Sequence, residues 1–420
     1  MTKIKLILLV LVLSTFNSYG QKELRYQDRV YEPSIKSVQL YPQGTSIQAS
    51  LSPAVKELNQ GAQLTLEFDD LREDADYYFV YFIHCNADWT PSKMRPTMYL
   101  KAFNEFEIIN FEFSSESKTN YVHYSFPIPT LKETGNYLAV VYRDRKKEDL
   151  ILSKRFSVYN NQVGVGGNIG RSSSVSNRQT NQRVEVTLNY GDLKTFDPAK
   201  DFTVVVRQNE RPDNLKIGLN PTFIDENGKL IRYQNLGNEN DFPAGNEFRL
   251  FDISTVNSSG RNVAKIGFNE NKPVAQLMID KERDPAFFQF LDLNGKYYIR
   301  DLESLRTGNL TAEYVDVEFL LDYPKINENI YVLGEFNLWQ KNDESRLQYD
   351  PVNSRYYSKQ LLKQGWYNYT YSVESLQPNM IEKNFFDTEN VYEVFVYYRP
   401  MGARGDQLVG YSRIPYNARR

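Results

Sequence analysis

Gln63-Leu64-Thr65-Leu66-Glu67-Phe68-Asp69 decides the fold class, because its apolar residues Leu64, Leu66 and Phe68 alternate with polar ones. A period of two puts the apolar set on one face of a β-strand and the polar set on the other. The same pattern recurs at Val184, Val186, Leu188 and Tyr190, at Val315, Val317 and Phe319, and at Tyr392, Val394, Val396 and Tyr398. Asn227-Gly228 and Asn294-Gly295 lie between strand-like segments and supply the φ > 0 residues of tight hairpin turns. No long amphipathic helix interrupts the pattern; the nearest candidate, Val55 to Leu58, reads equally well as a loop. The spacing predicts an all-β protein.

A chain of 420 residues is too long for one all-β core, and the expectation is three consecutive β-sandwich domains after a signal peptide. In residues 1–20, Lys3 and Lys5 precede an apolar run from Leu6 to Leu13 and then small polar residues ending at Gly20, the layout of an export signal. That run is far shorter than the roughly 20 apolar residues of a membrane-spanning helix, so the expectation is an exported chain with no direct membrane insertion. Residues 21–159 are expected to form an N-terminal sandwich. Residues 160–183, with Gly164, Gly166, Gly167, Gly170 and Ser172 to Ser174, read as a linker or loop. Residues 184–311 are expected to form a middle sandwich and residues 312–420 a C-terminal one.

Composition separates contact from catalysis. The chain has 31 tyrosines and 25 phenylalanines but two histidines and one cysteine. Bases, nucleophiles and soft-metal ligands that act near neutral pH are scarce, and rigid amphipathic contact residues abound. Loss of Lys3 and Lys5 takes 50 basic residues to 48 against 53 acidic, and the formal charge from -3 to -5, which excludes the basic field of a nucleic-acid binder. The basic run Arg143 to Lys147 is broken by Asp144 and reads as a solvated hairpin tip. Gly164-Val165-Gly166-Gly167-Asn168-Ile169-Gly170 lacks the third glycine of a dinucleotide fingerprint. Adjacent His84 and Cys85 point to opposite faces of a strand and cannot form a dyad, while His123 could meet His84 across a sheet and supply at best half a zinc site. No pair among the 53 acids stands out as a glycosidase pair. Asn309-Leu310-Thr311 and Asn368-Tyr369-Thr370 match glycosylation tripeptides, and Arg404-Gly405-Asp406 matches an adhesion tripeptide that reads as a turn. The expectation is no enzyme, no cofactor and no metal.

Tyr331-Val332-Leu333-Gly334-Glu335-Phe336-Asn337-Leu338-Trp339, with Gly365-Trp366-Tyr367-Asn368-Tyr369-Thr370-Tyr371 further on, is similar to the early-set immunoglobulin-like folds that include glycogen-binding modules. That resemblance implies an immunoglobulin-like C-terminal sandwich and makes Trp339 and Trp366 the aromatic binding candidates, with packing as their alternative role. The N-terminal part carries a second resemblance. Val30-Tyr31-Glu32-Pro33, Val38 to Pro42, Leu64 to Leu71, Tyr78 to Cys85 with Asn86-Ala87-Asp88-Trp89, and Gly135 to Tyr142 look like the first domain of the type IX secretion system plug proteins of the Bacteroidetes. The resemblance implies a periplasmic protein at the inner side of the outer membrane, docked on the large translocon β-barrel and blocking its channel. The alternative is an exported carbohydrate-binding or adhesion-type sandwich.

Overall fold

The computed structural model describes residues 22–44, 46–234, 237–304, 308–375 and 380–418; the signal peptide expected at residues 1–20 lies outside them. The protein is all-β, built as three sandwiches, each with its own buried apolar cluster.

In the first sandwich, Lys146–Tyr159, Gly135–Arg143, Tyr78–Cys85 and Phe106–Glu107 pair in succession, with Arg29–Val30 and Val55–Glu57 along the outer side of Lys146–Tyr159. The facing sheet runs Ile35–Pro42, Leu64–Asp70, Val122–Pro127 and Asn110–Phe113. Leu64, Leu66 and Phe68 all point inward, onto Val80, Phe82, Tyr124, Tyr137 and Val141. The expected basic hairpin tip is a two-residue turn, with Asp144 and Arg145 at φ 52° and 58° between paired Arg143 and Lys146.

The second sandwich departs from the expected boundaries. Gly164–Arg171 is no linker but an edge strand paired along its length with Asn181–Asn189. Gly167 permits a close approach to the last strand of the chain, where a Cβ would lie 2.1 Å from Ile414 Cδ1, and Gly410 on that last strand does the same in return, where a Cβ would lie 2.5 Å from Val163 Cγ2. The facing sheet is Leu215–Ile217, Phe202–Gln208, Asn390–Tyr398 and Gln407–Tyr416. The last two strands of the chain thus complete the middle sandwich, packing Tyr392, Val394 and Val396 against Val184, Val186 and Leu188.

The third sandwich is therefore an insertion within the second, not a C-terminal unit. Its sheets are Arg249–Asp252, Gly365–Val373 and Tyr297–Ile299 with Ile330–Leu333, facing Val263–Asn269, Lys272–Leu277, Tyr314–Asp322, Arg355–Lys363 and Gln348–Asp350. A boundary at residues 311 and 312 would cut through its core, since Phe251, Ala275 and Tyr297 pack with Val315, Phe319 and Tyr367. Asn294 and Gly295 both have φ > 0, at 53° and 85°, but they lead an irregular segment into Tyr297–Ile299 and do not close a hairpin.

Candidate functional site

The residues most suggestive of chemistry are structural. His84 is 1% exposed and uses both ring nitrogens locally, Nδ1 with Ser92 Oγ at 2.9 Å and Nε2 with the Thr134 carbonyl at 3.1 Å. Burial holds its pKa below the ordinary histidine value. Cys85 is fully buried, and burial pushes its thiol up to about 12, so the thiolate needed for nucleophilic work is not populated. His123 meets Asp69, at 2.7 Å, rather than His84. Among the described residues no three His, Cys, Asp or Glu side chains are grouped to hold a metal ion.

The short motifs are absorbed in the same way. Asp406 of the Arg404-Gly405-Asp406 tripeptide is 6% exposed; its Oδ2 accepts the Ala87 N–H at 2.8 Å and its Oδ1 the Arg399 Nε–H at 2.5 Å. Gly405 packs against the His84 ring, where a Cβ would stand 3.0 Å from Cε1. Asn368 is completely buried and cannot carry a glycan. Trp339 is 7% exposed, edge-to-face with Phe248 at 5.9 Å and covered by the Arg211 guanidinium at 4.3 Å, which leaves no ring face for a saccharide. Trp366 is half-buried on Gly365–Val373, paired with Asp252 and with Arg261 over its ring at 6.0 Å. The tyrosines mainly fill cores: the twelve largest fully buried side chains are all tyrosine.

What the fold does bring together is a set of buried polar junctions between sandwiches. Asp69, on the outer face of the first sandwich, accepts from Lys363 Nζ at 2.6 Å and from Tyr314 OH at 2.7 Å, both in the inserted sandwich, as well as from His123. Burial alone would raise its carboxyl, but Lys363 and His123 hold it below the usual carboxylate value. Lys363 also donates to the Asn309 carbonyl at 2.6 Å and lies 4.1 Å over the Tyr121 ring. Glu313 reaches back to accept from Ser117 Oγ at 3.0 Å and the Thr119 N–H at 3.1 Å.

The first and second sandwiches meet through Ala87, Val205, Phe395, Tyr397 and Leu408, and Tyr397 OH donates to Asn136 Oδ1 at 2.8 Å. The second and inserted sandwiches meet through the Lys296–Glu210 ion pair and the Arg211–Trp339 stack. The Gly334–Trp339 turn anchors this corner. Leu338 and Trp339 are held at φ 54° and 58° while Gln340 Nε2 donates to the Asp28 carbonyl of the first sandwich at 3.0 Å. A cavity of about 70 Å³ at the three-way junction, lined by Asp28, Arg155, Arg207, Glu210 and Glu335, is too small for a cofactor.

Two surface features remain open. A cleft of about 950 Å³ lies between the first and inserted sandwiches, and two ion pairs close within it, Lys36 with Glu344 at 3.3 Å and Lys359 with Asp316 at 2.8 Å. On the far side of the first sandwich, Tyr77, Ile109, Phe111 and Phe113 are 69%, 71%, 43% and 56% exposed. No helix among the described residues is long and apolar enough to cross a membrane.

Residues 35–160 match the family model for the type 9 secretion system plug protein 1st domain. The fold is similar over 94% of this chain, and 100% of the other, to the crystal structure of a hypothetical protein from Parabacteroides merdae ATCC 43184, with a TM-score of 0.88 and 29% identity. A Salmonella alpha-2-macroglobulin reacted with methylamine aligns with a TM-score of 0.18 and 9% identity, covering 93% of this chain and 24% of its own, which carries no fold relationship. No curated protein matches the chain. The segment that the alternating strands and the Gly135 to Tyr142 run made resemble a plug protein is thus the segment matched: over residues 35–160 the first sandwich of this chain is similar to the type 9 secretion system plug protein 1st domain.

Proposed function

We propose that this chain is a non-enzymatic periplasmic plug or gating subunit that docks on the periplasmic opening of the type IX outer-membrane translocon and blocks the channel when it is not exporting. The observation that carries the reading is the plug-domain match over residues 35–160. The junction chemistry supports it. A plug must hold its shape against a wide opening, and here the plug-type sandwich is fastened to the other two through buried, hydrogen-bonded charge at Asp69, Lys363 and Glu210, so the three present one stiff surface. The same burial argues against catalysis, because the histidines and the cysteine are used up in packing. A glycan-binding role through Trp339 finds no support while Arg211 and Phe248 enclose the ring.

Crosslinking in outer-membrane preparations, followed by purification through a tag on this chain, tests the reading. The translocon barrel should be recovered as a crosslinked partner; its absence under conditions that preserve the translocon would refute the docking role.

A further inference from the structure

The strand Asn110–Phe113 is the free edge of the sheet Ile35–Pro42, Leu64–Asp70, Val122–Pro127, Asn110–Phe113, and all four of its residues are exposed. Its ladder parity can be read from the turn that follows. Ser114 N–H donates to the Tyr121 carbonyl at 2.8 Å, and the register pairs Phe113 with Val122 and Phe111 with Tyr124 without a shift. Hydrogen-bonded and non-bonded pairs alternate along an antiparallel ladder, so the N–H and C=O of Phe111 and Phe113 point away from the sheet. The next outward group in the series confirms the parity: Ser115 N–H donates to the Leu310 carbonyl of the inserted sandwich at 2.8 Å. The edge is therefore capped at Ser115 by the short helical turn Gly308–Thr311, whereas the outward groups of Phe111 and Phe113 have no backbone partner among the described residues.

Exposed edges of this kind are normally shortened, charged or covered. This one carries apolar rings instead. Phe111 and Phe113 stand edge-to-face at 6.1 Å on one face, with Phe111 also 5.7 Å from Tyr124, and Ile109 precedes them on the same side. The other face presents Glu112, which has no ion pair among the described residues. Two copies paired about Glu112 would set two carboxylates opposite each other, which disfavours self-association through this edge.

We infer that Asn110–Phe113 accepts an added strand from a partner protein, an extended segment with apolar side chains over Phe111 and Phe113 and a lysine or arginine beside Glu112. The main-chain groups of Phe111 and Phe113 supply the hydrogen bonds, and the Ser115–Leu310 contact fixes where the added strand must stop. The inference deepens the docking role proposed above by naming the chemistry of the segment bound, and its test does not depend on channel blocking.

The test uses the full chain with the peptide Thr-Val-Lys-Val-Lys-Val-Thr and its counterpart Thr-Val-Glu-Val-Glu-Val-Thr, read by fluorescence anisotropy and by amide hydrogen exchange. The basic peptide should slow exchange at Phe111 and Phe113, and bind at least about tenfold more tightly than the acidic one. Glu112→Lys should reverse that order. Phe113→Pro should weaken the basic peptide by about tenfold or more while leaving the melting temperature near wild type, because proline on an outward-facing edge position removes no ladder bond. Unchanged exchange at Phe111 and Phe113 with saturating basic peptide, or equal binding of the two peptides, would overturn the inference. Because this assay contains no translocon, such a failure would leave the plug reading standing, and failure of the crosslinking above would leave this edge standing.

Discussion

Asp69 of the first sandwich and Lys363 of the inserted sandwich form an ion pair at 2.6 Å with both side chains 1% exposed, although 294 residues separate them in sequence. Two charges so deeply buried are tolerable only because the remaining hydrogen-bonding capacity is filled, by His123 and Tyr314 on the carboxylate and by the Asn309 carbonyl on the ammonium. Removing one partner strands the other. Lys363→Met should cost about 3 to 5 kcal/mol in urea-induced unfolding, and the double variant Asp69→Asn/Lys363→Met should recover part of that loss. A Lys363→Met variant as stable as wild type would show that the pair is not what joins these sandwiches.

His84 makes the joint between the first and second sandwiches sensitive to acid. Its folded pKa lies below the ordinary 6.5, so it contributes stability that is fully present above that value and is lost as pH falls through the folded one. Asp292 acts oppositely: burial raises its carboxyl to about 6, so its contribution is present below 3.8 and lost as pH rises through about 6. The melting temperature of wild type minus that of His84→Gln should therefore shrink between pH 7.5 and pH 5.5, approximately the window of the histidine. A difference that stays constant with pH would contradict the buried, neutral imidazole.

Cys85 should report global unfolding. With its thiol buried and pushed up to about 12, labelling by a disulfide reagent at pH 8 should be negligible in the native protein and complete in denaturant. Rapid labelling under native conditions would mean that the first sandwich opens locally at the Tyr78–Cys85 strand.

The insertion topology gives a prediction opposite to the one drawn from sequence. A fragment spanning residues 249–386 contains the complete apolar cluster of the inserted sandwich and should fold with a cooperative thermal transition. A fragment spanning residues 312–420 should not, because it lacks Phe251, Ala275 and Tyr297 and carries the strands Asn390–Tyr398 and Gln407–Tyr416 without the rest of their sandwich. Circular dichroism melts of the two fragments decide between the arrangements.

Strand identity was legible in the sequence and strand partnership was not. Leu64, Leu66 and Phe68, or Tyr392, Val394 and Val396, alternate because one face of each strand packs into the apolar core of its own sandwich, and that pattern is local. Nothing local says that Asn390–Tyr398 pairs with Phe202–Gln208, or that an entire sandwich lies between them. The glycine-rich Gly164–Arg171 misled for a related reason: its Gly167 leaves room for Ile414, a residue from the far end of the chain. The opposed faces of His84 and Cys85 followed from strand geometry, whereas the junction residues Asp69, Glu313 and Lys363 look like ordinary surface charges until the sandwiches are docked. Tryptophan in the Gly334–Trp339 turn reads as a binding aromatic or a packing one, and the contacts that decide between them, with Phe248 and with Arg211 from another sandwich, are remote in sequence.

Outer-membrane permeability to a large antibiotic, compared between a strain lacking this protein and its parent, tests the central claim most directly. The account predicts that the deletion strain becomes leaky and sensitive and that the wild-type chain restores the barrier. Unchanged permeability in the deletion strain, with the translocon barrel still present in the membrane, would contradict it.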